Sequence, residues 1–136
     1  MELTNAEIIN SIEPLMILSK MSLPVLVSLQ VVELRHKLND PAIIVQDVYN
    51  KLVNTYGEKQ ESGEILVIGP DDLLRRPISP NWEKFATERN KLMSQTVELD
   101  IRKIELPTEI DGKPFQIVPD ILLALRKLIS IDGMEE

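Results

Sequence analysis

No cysteine occurs among the 136 residues, and there is a single histidine, His36. The first absence excludes disulfides, thiolate metal sites and cysteine nucleophiles, and the second excludes a zinc site built on a histidine pair. Aromatic side chains make up only 4% of the chain, so its core must be aliphatic, built from Leu, Ile and Val. No glycine-rich phosphate loop is present. Basic residues are outnumbered, 15 against 22 acidic, and the formal charge of -7 argues against broad binding to nucleic acid or anionic membranes. Long apolar runs are missing as well. The most apolar window, Leu15 to Val32, still holds Ser19, Lys20, Ser22, Pro24, Ser28 and Gln30, short of the roughly 20 largely apolar residues that cross a bilayer. Met1-Glu2-Leu3 lacks a basic region, and Glu7 and Glu13 interrupt the apolar stretch that follows, so no secretory leader is expected. The expectation is a cytoplasmic protein without cofactor or metal, binding neither nucleic acid nor membrane.

What is present suits a folded protein: 43% hydrophobic and 27% charged residues. The length is that of one domain, expected over 1–136, with a helical part at about 4–57 and a mixed part at about 64–131. Thr4-Asn5-Ala6-Glu7 has the form of a capping box. Ile8, Ile9, Ile12, Leu15 and Met16 follow at helical spacing, which predicts a helix from about Asn5 to Lys20, kinked or ended early near Ser11 by Pro14. Pro24 opens a second helical region. It is expected to divide at Asn39-Asp40-Pro41 into two helices at an angle, the second closed by Gly57 as a C′ glycine.

Beyond a polar turn at Glu58 to Gly63, Glu64-Ile65-Leu66-Val67-Ile68 reads as a strand ended by Gly69-Pro70. Ser79-Pro80 reads as cap and first position of a helix whose face carries Trp82, Phe85, Ala86, Arg89, Leu92 and Met93. Val97 to Arg102 alternates apolar and charged residues, the pattern of a half-buried strand, with a bulge or bend at Arg102-Lys103 before Ile104 and Leu106. Asp111-Gly112 marks a hairpin turn between Glu105-Leu106 and Lys113 to Ile117. Pro119-Asp120 opens a last helix using Ile121, Leu122, Leu125, Leu128 and Ile129, and Gly133 to Glu136 is expected to fray. The fold class that follows is α+β, mostly helical, with a small antiparallel sheet packed against the helices.

Leu23-Pro24-Val25-Leu26-Val27 at the start of a long helical region, Tyr56-Gly57-Glu58-Lys59 at its close, and a later helix running into Val97-Glu98-Leu99-Asp100-Ile101 with Ile104 and Leu106 form a pattern. In the order and spacing of these pieces, from about residue 20 onward, the chain resembles a group of small, uncharacterised accessory proteins of tailed bacteriophages and prophages. It departs from that pattern at Asn39-Asp40-Pro41, where the family's helix is unbroken, and in extra residues around Pro70 to Ser79. The resemblance implies a phage origin and an accessory role, and it carries no catalytic residue across.

Several constellations carry side chains suited to chemistry. Asp71 and Asp72 are too few for a magnesium site, and with Arg75 and Arg76 they read first as solvated ion pairs on a loop. His36 has no nucleophile motif tied to it. Glu98 and Asp100 are expected on one strand face, roughly 6–7 Å apart, within reach of paired-carboxylate chemistry, although Arg102 continues that face. Trp82 and Phe85 read as core or as an interface anchor. Leu15 to Leu18 with Met21 form a patch wider than one helix face needs, which points to a homodimer through the first two helices. Asp71, Asp72, Arg75, Arg76 and Trp82 are the expected protein-interaction residues, in a segment punctuated by Pro70, Pro77 and Pro80. The expected function is non-enzymatic: a phage-type accessory protein that binds a host or phage protein and modulates it. The alternative is a virion or assembly component acting by self-association, with a small hydrolase as a third reading.

Overall fold

The computed structural model describes residues 1–131; the expectation for Gly133 to Glu136 lies outside them. The chain begins with β1 (Glu2–Thr4) and passes directly into α1 (Asn5–Ser19). The capping box forms: the Glu7 amide donates to Thr4 Oγ1 at 3.1 Å, and the Thr4 amide donates to Glu7 Oε1 at 2.9 Å. Lys127 also reaches the Glu7 carboxylate. That ammonium, and then the Thr4 amide, hold the Glu7 carboxyl below the usual carboxylate range. Thr4→Ala will lower stability by about 0.5–2 kcal/mol, read as a shift in the chemical denaturation midpoint; an unchanged midpoint would show the box to be idle.

Pro14 does not end α1. Leu15 and Leu18, beyond it, are fully buried, and their packing outweighs the single backbone bond that proline removes. The expected division at Asn39-Asp40-Pro41 is likewise absent. After Pro24, α2 runs as one helix from Val25 to Tyr56 with Pro41 inside it. Its buried positions Val31, Leu34, Leu38, Ala42 and Val45 continue across the proline, so one continuous apolar stripe keeps the axis together where propensity alone favours a break. Gly57 follows as the cap in an extended conformation (φ -81°, ψ 172°) rather than the left-handed one expected. Its lack of a side chain matters through close approach: a Cβ would stand 2.4 Å from the Val53 carbonyl oxygen and 2.8 Å from Ile65 Cγ2.

Short ribbons fill the second half. β2 (Glu58–Lys59) pairs antiparallel with β3 (Ile65–Leu66), so the expected polar turn begins as strand and the expected five-residue strand shrinks to two residues. The helix α3 (Trp82–Ser94) leads into β4 (Thr96–Glu98), which pairs antiparallel with β1, setting Leu3 opposite Val97. The Asn5 side chain ties the same corner by donating to the Leu92 carbonyl at 2.8 Å. The strand expected over Val97 to Arg102 stops at Glu98. Ile101 is buried beyond it, and pairing resumes only at β5 (Ile104–Leu106).

β6 (Glu109–Ile110) and β7 (Lys113–Pro114) form the hairpin signalled by Asp111-Gly112, whose φ values of 53° and 75° are those of a type I′ turn. Its arms are shorter than expected, and Glu105-Leu106 is not one of them. The terminal helix α4 (Pro119–Ala124) is also cut short. Ile129, expected on that helix, belongs instead to β8 (Ile129–Ile131), which runs parallel to β5 with Ile104 opposite Ile129. Two β-branched residues around Ser130, with Ile104 and Leu106 waiting for a neighbour, favour the strand.

The fold is α+β and mostly helical. Among the described residues its strands form four two-stranded pairs, three antiparallel and one parallel, in contrast to the one small sheet expected. The core is aliphatic. Leu3, Leu15, Leu38, Leu106, Leu125 and Ile129 are buried in one cluster that draws on both halves of the chain. Among the described residues no helix is long and apolar enough to cross a membrane.

Candidate functional site

Between β3 and α3 the chain forms a loop with a closed neck. The Ile68 amide donates to Ser79 Oγ at 2.7 Å, and the Ser79 amide returns a bond to the Ile68 carbonyl at 2.9 Å. Both residues are buried. Ser79 was expected to cap α3; its hydroxyl closes the loop instead, and α3 begins three residues later with Asn81 at its cap position. The ends of the loop are thus fixed side by side, as in Ω-loops.

A second closure lies inside. Asp72 accepts the Arg76 backbone amide at 2.7 Å and both arms of its guanidinium, from Nε at 3.1 Å and Nη2 at 2.9 Å. Such a forked, charge-assisted contact fixes orientation as well as distance. The guanidinium of Arg76 first, and its backbone amide second, hold the Asp72 carboxyl below the usual carboxylate range. The clasp is therefore complete above that range and is lost as the pH falls through the lowered value. Between the two residues Arg75 takes a left-handed conformation at φ 54°, an uncommon one for a non-glycine residue.

The neck rests on aromatic rings. The Trp82 indole lies against the backbone of Gly69, where a Cβ would meet ring carbons at 2.8–3.1 Å. Trp82 sits 5.9 Å from Phe85, which meets Tyr49 edge-on at 5.9 Å. The Arg89 guanidinium covers both Trp82 and Phe85 at 5.3 and 5.6 Å from their ring centres. Phe85 is buried and Trp82 half-buried.

The five residues singled out in the sequence are thus brought onto one element but given different tasks. Asp72 and Arg76 hold the loop's shape, Trp82 props its neck, and Asp71 and Arg75 are exposed on its surface. The residues that sequence reasoning passed over are the apolar ones. Leu73 is 96% exposed and Leu74 73%, with Ile78 also exposed nearby. A signal for them was available, since Pro70, Pro77 and Pro80 deny the segment a regular helix and leave Leu73-Leu74 with no face to bury.

The other candidates, Glu98, Asp100 and His36, are not brought together among the described residues. Asp100 lies beyond the end of β4, so Glu98 and Asp100 do not share a strand face. Glu98 instead pairs with the Met1 amine, while Asp100 offers its carbonyl to Lys37 Nζ at 3.2 Å. The open groove of about 390 Å³ beside Asp100 is lined by Glu33, Lys37 and Arg102 and by no serine, threonine or histidine. His36 is exposed on α2. Comparison with protein-family models, curated proteins and solved structures finds no match to this chain.

Proposed function

We propose that this chain is a non-enzymatic interaction protein, of the phage accessory type, that recognises a host or phage protein with the loop from Ile68 to Ser79 and modulates it in the host cytoplasm. The observation that carries the reading is Leu73 at 96% exposure, with Leu74 beside it, on a loop closed at its neck and clasped by Asp72 and Arg76. A leucine held in water by a shaped loop contributes nothing to folding, and it loses little further entropy when a partner covers it. Arg75 and the acidic Asp71 border the leucines and supply polar contacts at the rim. The residues in which the chain departs from the phage pattern it resembles, Pro70 to Ser79, are this loop.

The test pairs two measurements on a Leu73→Ser, Leu74→Ser variant. Both side chains are exposed, so the thermal midpoint will stay within the range of ordinary surface changes, about 0.5 kcal/mol in stability. Capture of a partner from host lysate will fall at least about tenfold, the scale of an interface anchor. Undiminished capture, or a turnover that Glu98→Gln or Asp100→Asn abolishes, would overturn the reading.

A specific feature favours self-association as a second property. Part of the apolar patch at Leu15 to Leu18 is core, since Leu15 and Leu18 are fully buried. Met16 and Ile17 remain exposed, as do Val25, Leu26 and Leu29 at the start of α2. Homodimerisation through the first two helices is the reading these residues support, and with it an assembly role.

A further inference from the structure

The solvent side of α2 carries a pattern of its own. Val25, Leu29, Val32, His36, Asn39 and Ile43 recur at alternating steps of four and three, and all six are exposed. The buried stripe of Val31, Leu34, Leu38, Ala42 and Val45 occupies the opposite side. Four of the six are apolar, with His36 and Asn39 the polar members, and a helix that packs only on its core has no need of such a second stripe. Steps of four and three are the a/d repeat of a coiled coil, with Leu29, His36 and Ile43 at a and Val25, Val32 and Asn39 at d. The exposures range from 82% at Val25 through 53% at Leu29 and 49% at Ile43 to 36% at Val32.

We infer that two copies of this chain pair through this outer face of α2, parallel and in register. The inference rests on the self-association reading above and specifies its geometry. The occupant is a second copy because the charges beside the stripe complement themselves. In a parallel pair, each g residue meets the e residue five positions later in the other helix. Arg35 at g then meets Asp40 of the second copy, twice by symmetry, and the neighbouring pairing of Ser28 with Glu33 brings no like charges together; Ala42, the next g position, is buried in the chain's own core and takes no part.

The antiparallel arrangement that sets Val32 against Ile43 of the second copy instead places Glu33 beside Asp40, an acid against an acid, and leaves Leu29 opposite Gln46. Parallel alignment matches each apolar residue with its own kind. Asn39 then faces Asn39 across a d layer, where the two amides satisfy each other only in register. In the single copy Arg35 Nη1 donates to Ser19 Oγ at 3.1 Å, so pairing with Asp40 exchanges a neutral acceptor for a charged one. Pro41 stands at position f, away from the seam. The charge of -7 on each copy opposes approach, but its reach at physiological salt is about 8 Å.

The absence of cysteine makes the orientation directly measurable. Sedimentation equilibrium of the full chain at tens of micromolar will give the mass of a dimer. Leu29→Asp, at a position exposed in the single copy, will keep the parent's circular dichroism melt yet raise the dissociation constant at least about a hundredfold, because each helix would bury an unpaired carboxylate at the seam. Val32→Cys alone will form a disulfide-linked dimer in oxidised glutathione, since facing d positions bring the two Cα atoms within the roughly 4.4–6.8 Å a disulfide spans.

A monomeric parent overturns self-association and this geometry together. A dimer indifferent to Leu29→Asp overturns the α2 interface. A dimer in which Val32→Cys links only to a co-mixed Ile43→Cys chain, or to neither, overturns the parallel register while leaving self-association standing. A larger assembly that still cross-links through Val32→Cys overturns the two-copy stoichiometry.

Discussion

Leu38→Ala will lower the stability of the chain by about 2–5 kcal/mol. Leu38 is fully buried within the main core cluster, alongside Leu34 and Ala42 of the same helix. Alanine there leaves a cavity that the packed neighbours fill only in part, so the loss combines the transfer free energy of the missing methyl-bearing carbons with that of the void. The position also decides between two descriptions of α2. Leu38 lies three residues before Pro41. If the chain broke at Asn39-Asp40, Leu38 would be the last turn of a shorter helix, and truncating it would cost far less. Urea denaturation of parent and variant measures the difference; a loss below about 1 kcal/mol, the scale of a partly exposed residue, would contradict the continuous helix.

Pro41→Ala will act in the opposite direction and stabilise the chain by up to about 3 kcal/mol, the difference between the two residues in a helix interior. The unbroken α2 includes Pro41 at a half-buried site, so the Lys37 carbonyl lacks the amide that would otherwise bond to it. Alanine restores that donor and keeps the helical backbone. The gain is partly offset because alanine enlarges the freedom of the unfolded chain. A destabilised Pro41→Ala variant would mean that the native backbone near residue 41 depends on proline, as at a helix start, and not on the stripe of Leu34, Leu38, Ala42 and Val45. A large loss at Leu38 together with a gain at Pro41 is the signature of packing that overrides a local breaker.

The same competition explains what could be read from the residues alone. The capping box at Thr4 and the type I′ turn at Asp111-Gly112 were legible because each is a local device, specified within four residues by hydrogen-bond partners or by positive φ. Pro14 and Pro41 misled because proline's local cost is visible in sequence while the burial of Leu15, Leu18 and Leu38 that outweighs it is long-range. Ile129 is the clearest case. Its spacing from Ile121 and Leu125 suits a helix, yet pairing with Ile104, distant in sequence, makes it a strand, and helical periodicity over one or two turns carries no information about that neighbour.

The candidate site was half legible. Its charged residues, prolines and tryptophan marked the segment, whereas the clasp of Asp72 on Arg76 and the use of Ser79 to close the neck depend on backbone geometry that composition does not encode. The outer stripe of α2 shows the converse. Once residue 41 is known to lie inside one helix, the steps of four and three from Val25 to Ile43 stand on a single face. A division at Asn39-Asp40-Pro41 hides them.

The proposed role of Leu73 as a contact residue of a recognition loop is tested most directly by site-specific photocrosslinking. A diazirine-bearing leucine analogue is placed at position 73, and a control at Ser62 on the exposed β2–β3 turn. Both are irradiated in cells of the proposed host. One discrete adduct with another protein is expected from position 73 and none from position 62. Equal adducts from both positions, or none from 73 with the fold intact, would contradict that role.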